Sequence, residues 1–143
     1  MVKRYELGFA TYEIHSNYII GEVAEGVNYG IEEISQIQEL IKNTFPGYFG
    51  YISNRLHDYS VDPKMWSFSF QIPGLSVYAI VVDDRKPPEL LELELSFFEY
   101  FELPEDFQLK VFTELDKAIT WTKTTLASLE SASEESENKQ DHT

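Results

Sequence analysis

Tyr48-Phe-Gly-Tyr-Ile-Ser-Asn-Arg-Leu-His-Asp-Tyr-Ser-Val-Asp-Pro63 is the stretch that decides the architecture. Residues 48–52 are aromatic or apolar apart from one glycine, which predicts a short buried strand. The run stops at Ser53, Asn54 and Arg55, a polar turn. Asp62 and Pro63 then open a helix: the aspartate accepts from free N–H groups, and proline at the first helical position has no N–H to lose. In an α/β protein, a strand feeding such a loop is where ligands and partners meet the sheet.

Upstream, Tyr5, Leu7 and Phe9 alternate with Arg4, Glu6 and Gly8, and Tyr12 and Ile14 follow. Residues 18–23 are another strand, with Ser16 and Asn17 as a hairpin turn between them. A loop over 26–30 leads to Ile31, Ile34, Ile37, Leu40 and Ile41, which share one face of a helix stopped by Pro46 and Gly47. Glu32 and Glu33 sit at its amino end, where the helix dipole favours negative charge.

Downstream, the spacing of Met65, Trp66, Phe68 and Phe70 fits either a helical turn or a strand-like alternation, and is read as a short helix to about residue 71. Residues 76–82 form an almost unbroken apolar run, as expected of a central parallel strand covered on both faces. Pro87 and Pro88 open a helix carrying Leu91, Leu95, Phe98 and Phe101, closed by Pro104. A last strand over 107–112 leads into a helix marked by Leu115, Ala118, Ile119, Thr122, Leu126 and Leu129. Residues 130–143 are polar and acidic and read as a disordered tail. The expectation is one α/β domain over 1–129, whose mixed β-sheet opens with an antiparallel hairpin and continues as alternating strands and helices packed on it.

The 143 residues suffice for one core without staples. With no cysteine, disulfides, thiolate catalysis and cysteine-based zinc sites are excluded. A net charge of −14 repels nucleic-acid backbones and anionic lipid headgroups, and suits a basic partner surface. No apolar run is long enough to span a bilayer, and the first residues lack a secretory signal core. A cytoplasmic location is expected.

The paired opening strands, the strand over 48–52 running into Ser53-Asn54-Arg55, the strand over 77–82, and the ending Val111-Phe-Thr-Glu-Leu-Asp-Lys-Ala-Ile-Thr-Trp121 resemble the STAS family. That family comprises anti-sigma-factor antagonists, sulfate-transporter tails and stand-alone bacterial proteins sharing a fold with CRAL-TRIO lipid-binding domains. The resemblance covers roughly residues 3–127 and is one of pattern. It implies a regulatory protein-interaction module. Phospho-switch members carry Asp-x-Ser-Gly after a central strand. This chain has Ile52-Ser53-Asn54-Arg55 there, so Ser53 is a candidate by position only.

Several side chains near the strand ends can act. Backbone N–H groups with Ser53, Asn54 and Arg55 can hold a phosphate or carboxylate. The plainer alternative is a turn whose side chains bond their own backbone. His57, Asp58, Tyr59, Ser60 and Asp62 bring a serine, a histidine and carboxylates close in sequence, but without a nucleophile elbow. Asp83 and Asp84 end the 76–82 strand and face Arg55 if the two strands are neighbours. Adjacent carboxylates point in different directions, and His15, His57 and His142 are scattered, so no metal site is expected. Trp66, Phe70, Phe97, Tyr100 and Phe101 cannot all enter one core stripe; they make either an apolar surface or pocket, or the broad shared core of two helices.

The leading expectation is therefore a non-enzymatic, cofactor-free module that acts through the loop after the central strand on a protein partner, or as a homodimer. The second is a carrier or sensor of a small apolar ligand of lipid or quinone type. An enzyme using Ser53 or Asp58 is the third.

Overall fold

The computed structural model describes residues 2–57, 59–62, 72–83, 92, 95–96 and 106–140, with backbone alone for 133–140. The chain is α/β. Its main sheet has six strands in the order β1-β2-β3-β5-β7-β8, and β4 and β6 form a two-stranded accessory sheet. The strands are β1 (Lys3–Glu6), β2 (Ala10–Ile14), β3 (Tyr18–Val23), β4 (Asn28–Tyr29), β5 (Phe49–Asn54), β6 (Ser60–Val61), β7 (Leu75–Val81) and β8 (Gln108–Phe112). Helix α1 (Ile31–Ile41) joins β3 to β5, and α2 (Leu115–Gln140) follows β8.

The first three strands are antiparallel, and β3, β5, β7 and β8 run parallel. The expected continuous alternation from Tyr5 to Phe9 is broken. Leu7 N–H bonds Ala10 C=O across a turn in which Gly8 takes φ +86°, a left-handed conformation that costs glycine little. Tyr5 thereby pairs with Tyr12 on the next strand. The second hairpin turns through Ser16 and Asn17 as expected, closed by His15 N–H to Tyr18 C=O.

Strand β5 runs two residues past its expected end. Ser53 and Asn54 are strand residues, not a turn, because the β7 backbone continues beside them: Ser53 pairs with Ile80 and Asn54 with Val81. Both are buried. Asn28, Tyr29, Ser60 and Val61, expected in loops, form the accessory sheet. Strands of two residues carry no periodic signal, and tertiary pairing alone creates them.

The two faces of the main sheet are built differently. On the α2 face, Ile52, Val77, Ala79 and Val81 meet Ala118, Thr122 and Leu126. Gly50 lets the helix come close, since a Cβ there would lie 2.6 Å from Thr122 Cγ2. On the α1 face, Ile34, Ile37 and Ile41 pack on Tyr12, Ile19, Val23, Phe49 and Leu75, with Tyr51 part-buried among them. Ile31, expected in the same stripe, is exposed because it is the first helical residue. Tyrosine and phenylalanine rings stand between α1 and the sheet, whereas Gly50, Ala79 and Ala118 bring the middle of α2 close to β5 and β7.

Helix α1 ends before Pro46, at Lys42, and Asn43 takes φ 65°. Helix α2 continues to Gln140, so residues 130–140 are helical where composition predicts no order. Glu, Lys, Gln and Ala are good helix formers, and the packed first turns supply the nucleus they extend. The helix expected over 63–71 lies outside the described residues. Of the helix expected over 87–104, Glu92, Leu95 and Ser96 are described and helical. No described helix is long and apolar enough to cross a membrane.

Candidate functional site

Alternation along β5 aims Phe49, Tyr51 and Ser53 at α1, and Gly50, Ile52 and Asn54 at α2. Tyr78 on β7 lies opposite Tyr51, and their rings stack with centroids 5.7 Å apart. Beyond β5, Arg55 N–H bonds Val81 C=O, which anchors the start of the loop to β7. The loop then returns to the accessory sheet, where Ser60 N–H bonds Val27 C=O and Asp62 N–H bonds Tyr29 C=O.

These elements enclose a cavity of about 50 Å³ between α1 and the sheet. Its apolar lining includes Ile37, Ile41, Phe49, Ile72 and Leu75, and its polar lining Tyr29, Tyr51, Ser53, Arg55 and Tyr59. Phe49, Tyr51, Ser53 and Arg55, at alternate positions along β5 and just beyond it, all line the cavity. Arg55 Nε donates to Ser53 Oγ at 3.3 Å.

Tyrosine hydroxyls gather above this cavity. The Tyr12 and Tyr29 hydroxyls are 2.7 Å apart. The Tyr51 hydroxyl lies over Gly21 beside the Tyr12 ring, in space that a Cβ on residue 21 would occupy. Burial pushes the Tyr12 phenol far above the usual range, reinforced by the neighbouring Tyr51 and Tyr29. Tyr29 is raised first by burial, partly opposed by its bond to Tyr12. Burial also raises Tyr51 well above its ordinary value. All three are neutral hydrogen-bonding groups at physiological pH.

On the other side of the strand ends, Asn54, Arg55, Leu56, Val81, Val82, Asp83 and Thr113 line an open groove of about 370 Å³. The structure thus brings Asn54, Arg55 and Asp83 together, as the strand adjacency of β5 and β7 requires. It turns Ser53 and Tyr59 into the cavity instead. His57 stays exposed, with Nδ1 3.9 Å from Glu25 Oε2, and Ser60 Oγ donates to Asn28 Oδ1 at 3.0 Å. Asp58, Asp84, Trp66, Phe70, Phe97, Tyr100 and Phe101 lie outside the described residues.

Sequence reasoning missed the tyrosine cluster and the cavity's apolar wall. Tyr12, Tyr29, Tyr51 and Tyr78 sit in four different strands, so no spacing links them. The available signal was that each polar-tipped ring falls on an inward strand position, where a hydroxyl must find a partner. Among the described residues no three His, Asp or Glu side chains come together as a metal site would need. No family model, curated protein or solved structure matches this chain.

Proposed function

We propose that this chain is a non-enzymatic, STAS-like regulatory module in which the loop after β5 reads the state of the α1 cavity and presents it to a protein partner. The observation that carries the reading is the double role of residues 55–61. Arg55, Tyr59 and Val61 wall the cavity, while Leu56, 56% exposed, and His57 face outward from the same short segment. A segment that cannot move on one side without moving on the other is a natural coupling element.

Two features favour this over a dedicated lipid or quinone carrier. A cavity of about 50 Å³ admits an acyl chain only if its walls move. The groove holds Arg55, a residue type enriched at interaction hot spots, beside the exposed Leu56. The acidic net charge suits a partner with a basic rim.

The test is native mass spectrometry on the protein purified gently from its own host, compared with Leu56→Asp. Leu56 is exposed, so the variant should keep its fold and lose a stoichiometric partner retained by the native chain. An identical set of bound proteins for both would refute the role of this loop.

A further inference from the structure

We propose that the free edge of β1 is a self-association surface. Two copies of this chain pair their β1 strands antiparallel about a two-fold axis at Tyr5, joining the two main sheets into one. This surface is separate from the loop after β5 and goes beyond the function proposed above.

The edge is open, and the direction of its backbone groups is fixed. Strand β1 is the terminal strand of the main sheet. The Arg4 and Glu6 side chains are 62% and 73% exposed, so they stand open to solvent. Leu7 N–H bonds Ala10 C=O. Backbone groups alternate in direction along a strand, so those of Tyr5 and Lys3 also face β2, opposite Tyr12 and Ile14. The N–H and C=O groups of Arg4 and Glu6 therefore point away from the sheet. Such an edge is a template for another strand.

A second copy supplies a strand that fits. Antiparallel joining of two sheets keeps their faces aligned, so each residue stands opposite one from its own side. Tyr5 lies on the α1 side with Tyr12, and alternation puts Arg4 and Glu6 on the other. Two registers near the middle of β1 obey this rule. One sets Arg4 against Arg4 across the axis, and like charges directly opposite are destabilising. The other centres on Tyr5 and sets Arg4 of each copy against Glu6 of the other. These are the two residues with outward backbone groups, so all of those groups find partners. The contact of Arg4 Nε with Glu6 Oε1 within each strand, 3.6 Å, then becomes part of a ring of alternating charge. On the α1 side Tyr5 meets Tyr5 in the close, non-hydrogen-bonded position, which extends the Tyr5–Tyr12 pair across the axis. Hydrogen-bond phase, face and charge select the same register.

Charges on an edge strand commonly serve to prevent pairing. The other edge, β8, fits that account: self-pairing over its full length centres on Lys110 and puts ammonium against ammonium. In β1 the positions that the axis exchanges carry opposite signs.

The experiment is sedimentation velocity of the whole chain from about 1 µM to about 1 mM, with amide hydrogen exchange at both ends of that range. So short a strand predicts a weak dimer, with a Kd of about 10–100 µM. The Arg4 and Glu6 amides should gain at least ~10-fold protection in the dimer. Arg4→Glu and Glu6→Arg should each weaken self-association by at least ~10-fold, because each sets like charges opposite. An equimolar mixture of the two variants should dimerise as the native chain does, since each supplies the charges that the other lacks. A native chain that stays monomeric throughout would overturn the proposal. So would a dimer whose Arg4 and Glu6 amides remain unprotected, one that neither variant weakens, or a mixture that stays monomeric. Leu56→Asp should leave dimerisation unchanged, so failure of this surface and failure of the loop are read separately.

Discussion

Replacing Thr122 by valine should stabilise this protein. Thr122 sits on α2 at 0% exposure, against Gly50 of β5, and its hydroxyl has no hydrogen-bond partner. A buried donor left unmade costs about 1–3 kcal/mol, whereas the unfolded chain hydrates it freely. Thr122→Val removes that group and puts a methyl in its place. Helix propensity hardly changes, because both residues are β-branched. The gain should be about 1–2 kcal/mol, the lower part of the range, since a methyl is bulkier than a hydroxyl in a close-packed layer. For a chain of 143 residues the unfolding entropy is about 0.3 kcal/mol/K, so Tm should rise by about 3–7 °C. Urea unfolding followed by circular dichroism should show a higher midpoint with an unchanged slope. Thr122→Ser is the control. It keeps the orphan hydroxyl and loses the methyl packed on Gly50, so it should cost about 1 kcal/mol. A valine variant no more stable than the native chain would refute the reasoning, because it would mean that the hydroxyl is satisfied within the helix.

Three further outcomes follow from the same packing. Gly50→Ala should destabilise by about 1–3 kcal/mol through overlap with Thr122 Cγ2, and pairing it with Thr122→Ser should recover part of that loss; strictly additive costs in a double-mutant cycle would contradict the contact. Tyr12→Phe should cost about 1–3 kcal/mol by orphaning the Tyr29 hydroxyl, and Tyr12→Phe with Tyr29→Phe should cost less than the sum of the two single changes. Stability should also fall at alkaline pH. The folded-state pKa values of Tyr12, Tyr29 and Tyr51 are raised above the ordinary value of 10.0, so above that pH the unfolded chain loses protons that the folded chain retains. The loss begins near pH 10 and grows by up to about 1.4 kcal/mol per pH unit for each tyrosine. Tyrosinate absorbance that develops for all tyrosines near pH 10 without unfolding would contradict the burial of these hydroxyls.

The legible parts of the fold were those with a long, uniform pattern. The apolar run of β7, the isoleucine stripe of α1 and the Ala118–Thr122–Leu126 face of α2 each repeat at the period of the element they form. The mixed sheet with an antiparallel opening follows from their order along the chain. Ends were less legible. Ser53 and Asn54 are turn-like residues by type, yet a neighbouring strand gives their backbone groups partners, and that outweighs local preference. Residues 130–140 illustrate the converse: a polar composition that looks unstructured extends a helix already nucleated by packing.

The candidate site divides in the same way. Arg55, Asn54 and Asp83 could be named from the sequence because each stands at the end of a recognisable strand, and the adjacency of β5 and β7 brings them to one groove. The cavity and its tyrosines could not. Tyr12, Tyr29, Tyr51 and Tyr78 come from four strands that are distant along the chain, and only sheet order and register place their rings under one helix. The sequence by itself determined the α/β class, the inward and outward faces of the long elements, and the acidic surface, because these depend on composition and on periods of two and 3.6 residues. Tertiary structure alone decided which inward side chains meet, since contact between remote residues depends on strand order, and that choice made one face of the sheet tight with glycine and alanine and left the other a tyrosine-walled cavity.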